Sequence, residues 1–126
     1  MMLNPRRPVY LNLLRIRLPI AGVMSIIHRA SGLAMFFAIP VLVYLLERSL
    51  SGAEGFDTVR GVFHTLLGQL VLFAALWALL HHLFAGIRYL LIDIDVGIER
   101  PTYRYSAWAV TLAGPLAALV IMGVMR

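Results

Sequence analysis

Three long apolar stretches, separated by polar segments that hold most of the charge, dominate the chain. They run from about residue 20 to 46, from 62 to 92 and from 106 to 125. A helix needs about 20 consecutive apolar residues to cross the hydrocarbon core of a bilayer, and each stretch meets that length. The pattern therefore predicts an all-α membrane protein with three transmembrane helices, organised as a single domain over residues 1–126.

The segments outside these stretches differ in charge, and this difference predicts the topology. Residues 1–19 carry four arginines among apolar side chains, and their prolines oppose a long helix. We interpret them as a basic segment at the membrane surface or against a soluble partner, with an unstructured arm as the alternative. Residues 47–61 read as a near-neutral polar loop, whereas Arg100 and Arg104 lie in the second connection. The positive-inside rule then places the N-terminus and the second connection in the cytoplasm, and the loop and the C-terminus outside.

The overall composition supports a membrane protein and excludes several kinds of chemistry on this chain. Hydrophobic residues make up 61% and charged residues 13%, about half the charged share of a soluble domain. The net charge of +5 comes from arginines clustered at the ends of the apolar stretches, which indicates topology rather than nucleic-acid binding. There is no cysteine, so the chain itself cannot ligate an iron–sulfur cluster through thiolates. It also lacks a dinucleotide-binding or P-loop glycine pattern.

The second apolar stretch contains ionisable residues, which are costly in a membrane and usually face a bundle interior, a cofactor or water. They are His81, His82 and Arg88. Gly86 and Ala78 lie one helical turn on either side of His82, so the face beside its ring is open. A flat macrocycle such as haem needs such space, and imidazole is a common axial ligand of its iron. The alternative is that the small residues allow close helix packing and the histidines hydrogen-bond across helices.

The first apolar stretch also begins with polar residues, namely Ser25, His28 and Arg29. Ser25 and Arg29 are four residues apart and therefore share a helix face. The pattern predicts a polar site near the inner membrane edge. The alternative for Arg29 is that its side chain snorkels to the lipid headgroups.

Two motifs together identify a family. SIIHRASG, Ser25 to Gly32, follows RPVYLNLLRIRLP, and HLFAGIRYLLID spans His82 to Asp93. The pair closely resembles the cytochrome b556 membrane-anchor subunits of bacterial succinate dehydrogenase. In that family the first span opens with S-I-x-H-R-x-(S/T)-G and the second carries H-x-x-x-G-I-R-H-x-x-x-D. The resemblance covers nearly the whole chain and departs at Tyr89, where the family often has histidine.

The resemblance implies a role for several of these residues. It implies that His82 is the axial ligand of a haem b iron, and that Ser25 and Arg29 lie at a ubiquinone site. It also implies that His28 and Arg29 lie near the haem propionates. Counted at about 1.5 Å per residue from the inner boundaries, His28 lies near the depth of His82. We interpret His81 as a packing or hydrogen-bonding residue rather than a ligand.

The resemblance further implies a function within a complex. The chain is expected to anchor a flavoprotein subunit with FAD and an iron–sulfur subunit to the bacterial inner membrane. A second membrane-anchor subunit is expected to supply the other haem ligand and complete a heteromeric helix bundle. Electrons from succinate would reduce ubiquinone at this junction. The alternatives are the anchor of a fumarate reductase, a haem-free structural anchor, and a small transporter or channel subunit.

Overall fold

The computed structural model describes residues 17–125, which form four helices. They are α1 (Ile20–Leu50), α2 (Ala53–His64), α3 (Leu66–Asp93) and α4 (Thr102–Val124). α1, α3 and α4 are long and apolar enough to cross a membrane, so the predicted all-α class and its three spans are confirmed. The basic segment predicted over residues 1–19 lies, up to residue 16, outside the described residues.

The connection between the first two spans is helical, so the prediction of a polar loop over residues 47–61 is wrong. α1 continues to Leu50, and α2 is a separate 12-residue helix. Gly55 lets α2 begin against the end of α1, because a Cβ at this position would collide with the carbonyl oxygen of Arg48. The apolar residues Phe56 and Phe63 recur with a helical spacing among polar neighbours, a pattern typical of helices that lie at a membrane surface.

The second span begins at Leu66 rather than near residue 62, because Thr65 ends α2 and starts α3. Its backbone is extended, with φ −75° and ψ 153°. Its hydroxyl oxygen accepts a hydrogen bond from the backbone N–H of Gly68 at 3.0 Å. Threonine is a favourable N-cap because it satisfies a backbone donor that has no partner within the helix. The hydropathy of the apolar stretch predicts one continuous helix, but the cap residue Thr65 inside it divides the stretch between α2 and α3.

α3 lies between α1 and α4 and packs against both. Small residues line these contacts, and Ala85, Ala107 and Ala118 are fully buried. Small side chains let the backbones of membrane helices approach closely, so van der Waals contacts hold them together. Most of the large apolar side chains point outward instead, which suits helices surrounded by lipid or by other membrane subunits.

Arg88 joins α3 to the start of α4. Its side chain is only 5% exposed, its Nε donates to the hydroxyl of Ser106 at 3.0 Å, and its Nη2 donates to the carbonyl of Tyr103 at 3.0 Å. The guanidinium carbon also lies 4.6 Å from the centroid of the Tyr103 ring. A buried cation with these partners fixes the α4 N-terminus beside α3, which shapes the end of the bundle where these two helices are joined.

The turn between α3 and α4 is formed around Asp93, Asp95 and Gly97. α3 ends at Asp93, and Asp95 and Gly97 have positive φ values of 61° and 79°. Aspartate and glycine tolerate this left-handed conformation better than most residues. The chain therefore reverses within a few residues and returns as α4.

Candidate functional site

The imidazole rings of His28 and His82 stack between α1 and α3. Their centroids are 4.1 Å apart and the ring planes differ by 14°. Gly32 makes room for the His82 ring, because a Cβ there would lie 2.9 Å from its Cε1, whereas a Cβ at Gly86 would be in ordinary contact with Nε2 of His28 at 3.9 Å. The space that the sequence predicts beside His82, at Gly86, is therefore next to the ring of His28.

The hydrogen bonds around His82 determine which of its ring nitrogens carries the proton. Nδ1 lies 3.0 Å from the carbonyl oxygen of His28 and 3.3 Å from the hydroxyl oxygen of Ser31. The Ser31 hydroxyl donates to that same carbonyl at 2.8 Å, so its oxygen is available to His82 as an acceptor. Both neighbours of Nδ1 thus accept, and we assign the proton to Nδ1 from this network.

This tautomer leaves the Nε2 lone pair of His82 free to bind a metal ion. Metal-ligating histidines usually donate their other ring N–H to a carbonyl or carboxylate, which fixes the orientation of the ring. The His28 carbonyl and Ser31 provide this support for His82. The half-buried ring and its oriented nitrogen fit an axial ligand of a haem iron.

The stacked geometry also determines what His28 can do. A second histidine that held the same haem as His82 would have to stand apart from it, with room between the two rings for the flat macrocycle. Rings stacked face to face at 4.1 Å leave no space for a macrocycle between them. In this arrangement His28 is therefore a neighbour that orients His82, and the two rings do not form an axial pair.

A third ring extends this stack. The ring of Tyr89 contacts His28 edge to face, with centroids 5.3 Å apart. We refer to Tyr89, His28 and His82 as the aromatic row. The Nε2 of His28 is buried and has no hydrogen-bond partner among residues 17–125, which leaves Nδ1 as the ring nitrogen for a contact outside the chain.

Ser25 lines an open groove at the end of the bundle where α1 begins and α3 turns into α4, with a volume of about 750 Å³. We call it the inner groove. The start of α1 forms one side of it, and the α3–α4 turn and the first turns of α4 form the other. Its polar and aromatic lining residues are Ser25, Tyr89, Arg100, Tyr103, Arg104 and Trp108. Hydroxyl and guanidinium donors beside aromatic rings suit a flat ligand that carries oxygen acceptors.

Arg29 lies outside this groove although it shares a helix face with Ser25. Its side chain is exposed, and its Nε donates to the backbone carbonyl of Ser25 at 3.4 Å. The structure therefore places the hydroxyl of Ser25 in the groove and the guanidinium of Arg29 on the adjoining outer surface. A cation in this position can contact a ligand or a partner subunit that covers the groove.

His81 occupies a different environment from His82. It is fully buried, and its backbone and Cβ lie against α4, where a Cβ at Gly114 would lie 3.1 Å from the Cβ of His81. Neither of its ring nitrogens has a hydrogen-bond partner among residues 17–125. The interpretation of His81 as a packing or hydrogen-bonding residue stays a prediction, and the burial of the side chain is compatible with packing.

The sequence analysis missed several contributors to this site. Ser31 and Gly32 follow His28 by three and four residues, a spacing that places all three on one helix face. The end of the SIIHRASG motif therefore allows the prediction that Ser31 and Gly32 lie beside His28. Tyr89 was noted only as a departure from a family pattern, and the contribution of Tyr103 depends on how α4 returns to α3.

Comparisons of the sequence with known proteins identify the family. Residues 3–121 match the family model described as succinate dehydrogenase/fumarate reductase transmembrane subunit. A succinate dehydrogenase cytochrome b556 subunit of Coxiella burnetii is 37% identical over 123 residues, which covers 97% of this chain and 98% of the relative. The subunit of that name from Paracoccus denitrificans is 31% identical, with 94% and 86% covered. One from Rickettsia felis is 29% identical, with 92% and 90% covered.

These matches extend over nearly the full length of the chain and of its relatives, and they include both motifs that carry the resemblance. The resemblance predicted from Ser25–Gly32 and His82–Asp93 is therefore confirmed. The chain is a multi-pass membrane protein that belongs to the succinate dehydrogenase/fumarate reductase transmembrane subunit family.

Proposed function

We propose that this chain is the haem b-binding membrane anchor of a succinate dehydrogenase and forms part of its ubiquinone-reduction site. The observation that carries the proposal is the hydrogen bonding of His82, whose Nδ1 faces the His28 carbonyl and Ser31. This arrangement supports His82 as the iron ligand through Nε2. When bound, a haem b supplies a one-electron carrier. The relatives named for cytochrome b556 support the same assignment.

The remaining parts of the haem site follow from the positions of His28 and Arg29. Arg29 is exposed one turn from Ser25 and can pair with a carboxylate. His28 can contribute its Nδ1, because its Nε2 is buried. We therefore assign both residues to the haem propionates. The second axial ligand comes from another membrane subunit, since His28 is stacked on His82.

The quinone site is assigned to Ser25 and Arg29. The Ser25 side chain lines the inner groove and can donate a hydrogen bond to a quinone oxygen. The Arg29 guanidinium lies close by and can stabilise the negative charge that develops as the quinone is reduced. The iron–sulfur clusters are assigned to a partner subunit, because the chain has no cysteine to hold a cluster, and FAD is assigned to the flavoprotein subunit. The iron–sulfur subunit is expected to cover the groove and complete the pocket.

The proposed orientation in the bacterial inner membrane places the N-terminus and the inner groove on the cytoplasmic side. It rests on the arginines of residues 1–18 and of the α3–α4 connection. Reporter fusions after residues 4 and 97 are expected to read cytoplasmic, and a fusion after residue 54 is expected to read periplasmic. A cytoplasmic reading at residue 54 would overturn this topology, because α1 would then not cross the membrane.

The function is tested on the complex purified after co-expression with the flavoprotein, iron–sulfur and second anchor subunits. A pyridine haemochrome spectrum is expected to show haem b, and succinate is expected to reduce a short-chain ubiquinone. Full quinone reduction in a complex without haem would identify a haem-free anchor. A complex that reduces fumarate with quinol and does not oxidise succinate would instead identify a fumarate reductase anchor.

A further inference from the structure

We propose that Tyr89 is a quinone-binding residue whose phenol donates a hydrogen bond to a quinone carbonyl oxygen in the inner groove. Its ring also holds His28, and through it His82, in place behind the groove. The inference rests on the proposed function, because it adds a residue to the quinone site assigned to Ser25 and Arg29. It assigns a role to a position at which the sequence departs from the G-I-R-H pattern.

The position of Tyr89 supports a contact with the ligand. It lines the inner groove from α3, and Ser25 lines the same groove from α1. Its half-buried side chain packs against the small core of Met24, Ala85 and Ala107, which fixes the direction of the ring. Within residues 17–125 its hydroxyl has no hydrogen-bond partner. A tyrosine with an anchored ring and a free donor facing a groove is suited to bind an acceptor.

Tyr89 also connects the groove to the histidines. Its ring contacts His28 at a centroid distance of 5.3 Å, and His28 stacks on His82 at 4.1 Å. Tyr89 is thus the member of the aromatic row that lines the inner groove, whereas His82 supplies the proposed iron ligand. A ligand that moves the Tyr89 ring will therefore act directly on His28, and on the environment of His82 only through His28.

The test uses the complete co-expressed complex with a short-chain ubiquinone as the acceptor. Tyr89→Phe keeps the ring and removes the donor, and Tyr89→His keeps a donor on a smaller ring. Tyr105→Phe is the matched control, because Tyr105 is 69% exposed and does not line the inner groove. The KM for ubiquinone, the haem b spectrum and succinate oxidation with an artificial acceptor are measured for each variant.

Tyr89→Phe is expected to raise the KM for ubiquinone by about two- to tenfold, since the neutral hydrogen bond from the phenol to the quinone oxygen is lost. Its haem content and artificial-acceptor activity should match those of the wild type, because the ring that contacts His28 remains. Tyr89→His should recover most of the quinone affinity, and Tyr105→Phe should behave as wild type.

The outcomes separate this inference from the proposed function. An unchanged KM in Tyr89→Phe, together with impaired quinone reduction in Ser25→Ala, would overturn the role of Tyr89 and leave the quinone site in place. Unchanged quinone kinetics in both variants would overturn the quinone site and the inference together. If Tyr89→Phe does not assemble, Tyr89→His is compared with Tyr89→Leu, and an equal KM in the two would contradict a donor at this position.

Discussion

Replacing His82 with alanine is expected to remove the low-spin haem b spectrum from the assembled complex, whereas His81→Ala should retain it. The His82 ring is held by the His28 carbonyl and the Ser31 hydroxyl so that Nε2 is free for the iron. The His81 side chain, by contrast, is fully buried within the chain. Losing an axial ligand removes the bond to the iron, so the effect should be loss of the haem or conversion to a high-spin form. A pyridine haemochrome assay measures the haem content, and optical spectra show the spin state.

A milder substitution tests the assignment of His82 as the iron ligand without removing its side chain. A Cβ at Gly32 would lie 2.9 Å from Cε1 of His82, so Gly32→Ala should displace the ring and shift the haem spectrum or potential. Gly123→Ala is the control, because a Cβ there meets nothing within 4 Å among the described residues.

Loss of the spectrum in His81→Ala, with an unchanged spectrum in His82→Ala, would show that the other histidine is the ligand.

The three spans were predictable because they depend on one property of the sequence, the length of its apolar stretches. The boundary at Thr65 was not, because hydropathy runs across it without a break. The division there depends on a single hydrogen bond from Gly68 to the Thr65 hydroxyl and on the backbone turn that accompanies it. Helix α2 was missed for a related reason: its charged residues and glycines suggested a loop, although its apolar residues have a helical spacing.

The candidate site was only partly predictable, because its residues come from three helices. The motif spacing identifies His82, and counting the rise per residue places His28 at a similar depth. The stack at 4.1 Å agrees with that estimate. The rotation of α1 against α3 sets the stacking and the hydrogen bond to the His28 carbonyl, and no spacing within one helix encodes that rotation. The same holds for Tyr89, whose exposure to the groove depends on where α4 begins.

The positions of Ser25 and Arg29 refine the sequence prediction of one polar face. The hydroxyl lies in the inner groove and the guanidinium lies beside it, so the two side chains are expected to act differently. The serine is suited to bind and orient the quinone. The exposed arginine is suited to stabilise its reduced forms and to pair with a propionate, once partner subunits exclude water from this surface.

Arg29→Leu is expected to lower succinate–ubiquinone reductase activity by about 100-fold, the typical effect of removing one group that stabilises developing charge. Ser25→Ala should raise the KM for ubiquinone, with a smaller fall in rate, because a neutral donor is lost. Succinate oxidation with an artificial acceptor that takes electrons from the soluble subunits should remain at the wild-type level in both variants. This comparison separates a damaged quinone site from a failure of assembly.

The matched controls lie at the other end of the same helix. Arg48→Leu removes an exposed arginine from the last turn of α1, and Ser49→Ala removes a hydroxyl that donates only to the carbonyl of Leu46. Both lie far along α1 from Ser25, so quinone reduction should be unchanged in each. If the assembled Arg29→Leu enzyme reduces quinone at the wild-type rate and with the wild-type KM, Arg29 is a headgroup anchor. The quinone site would then be limited to the lining of the inner groove.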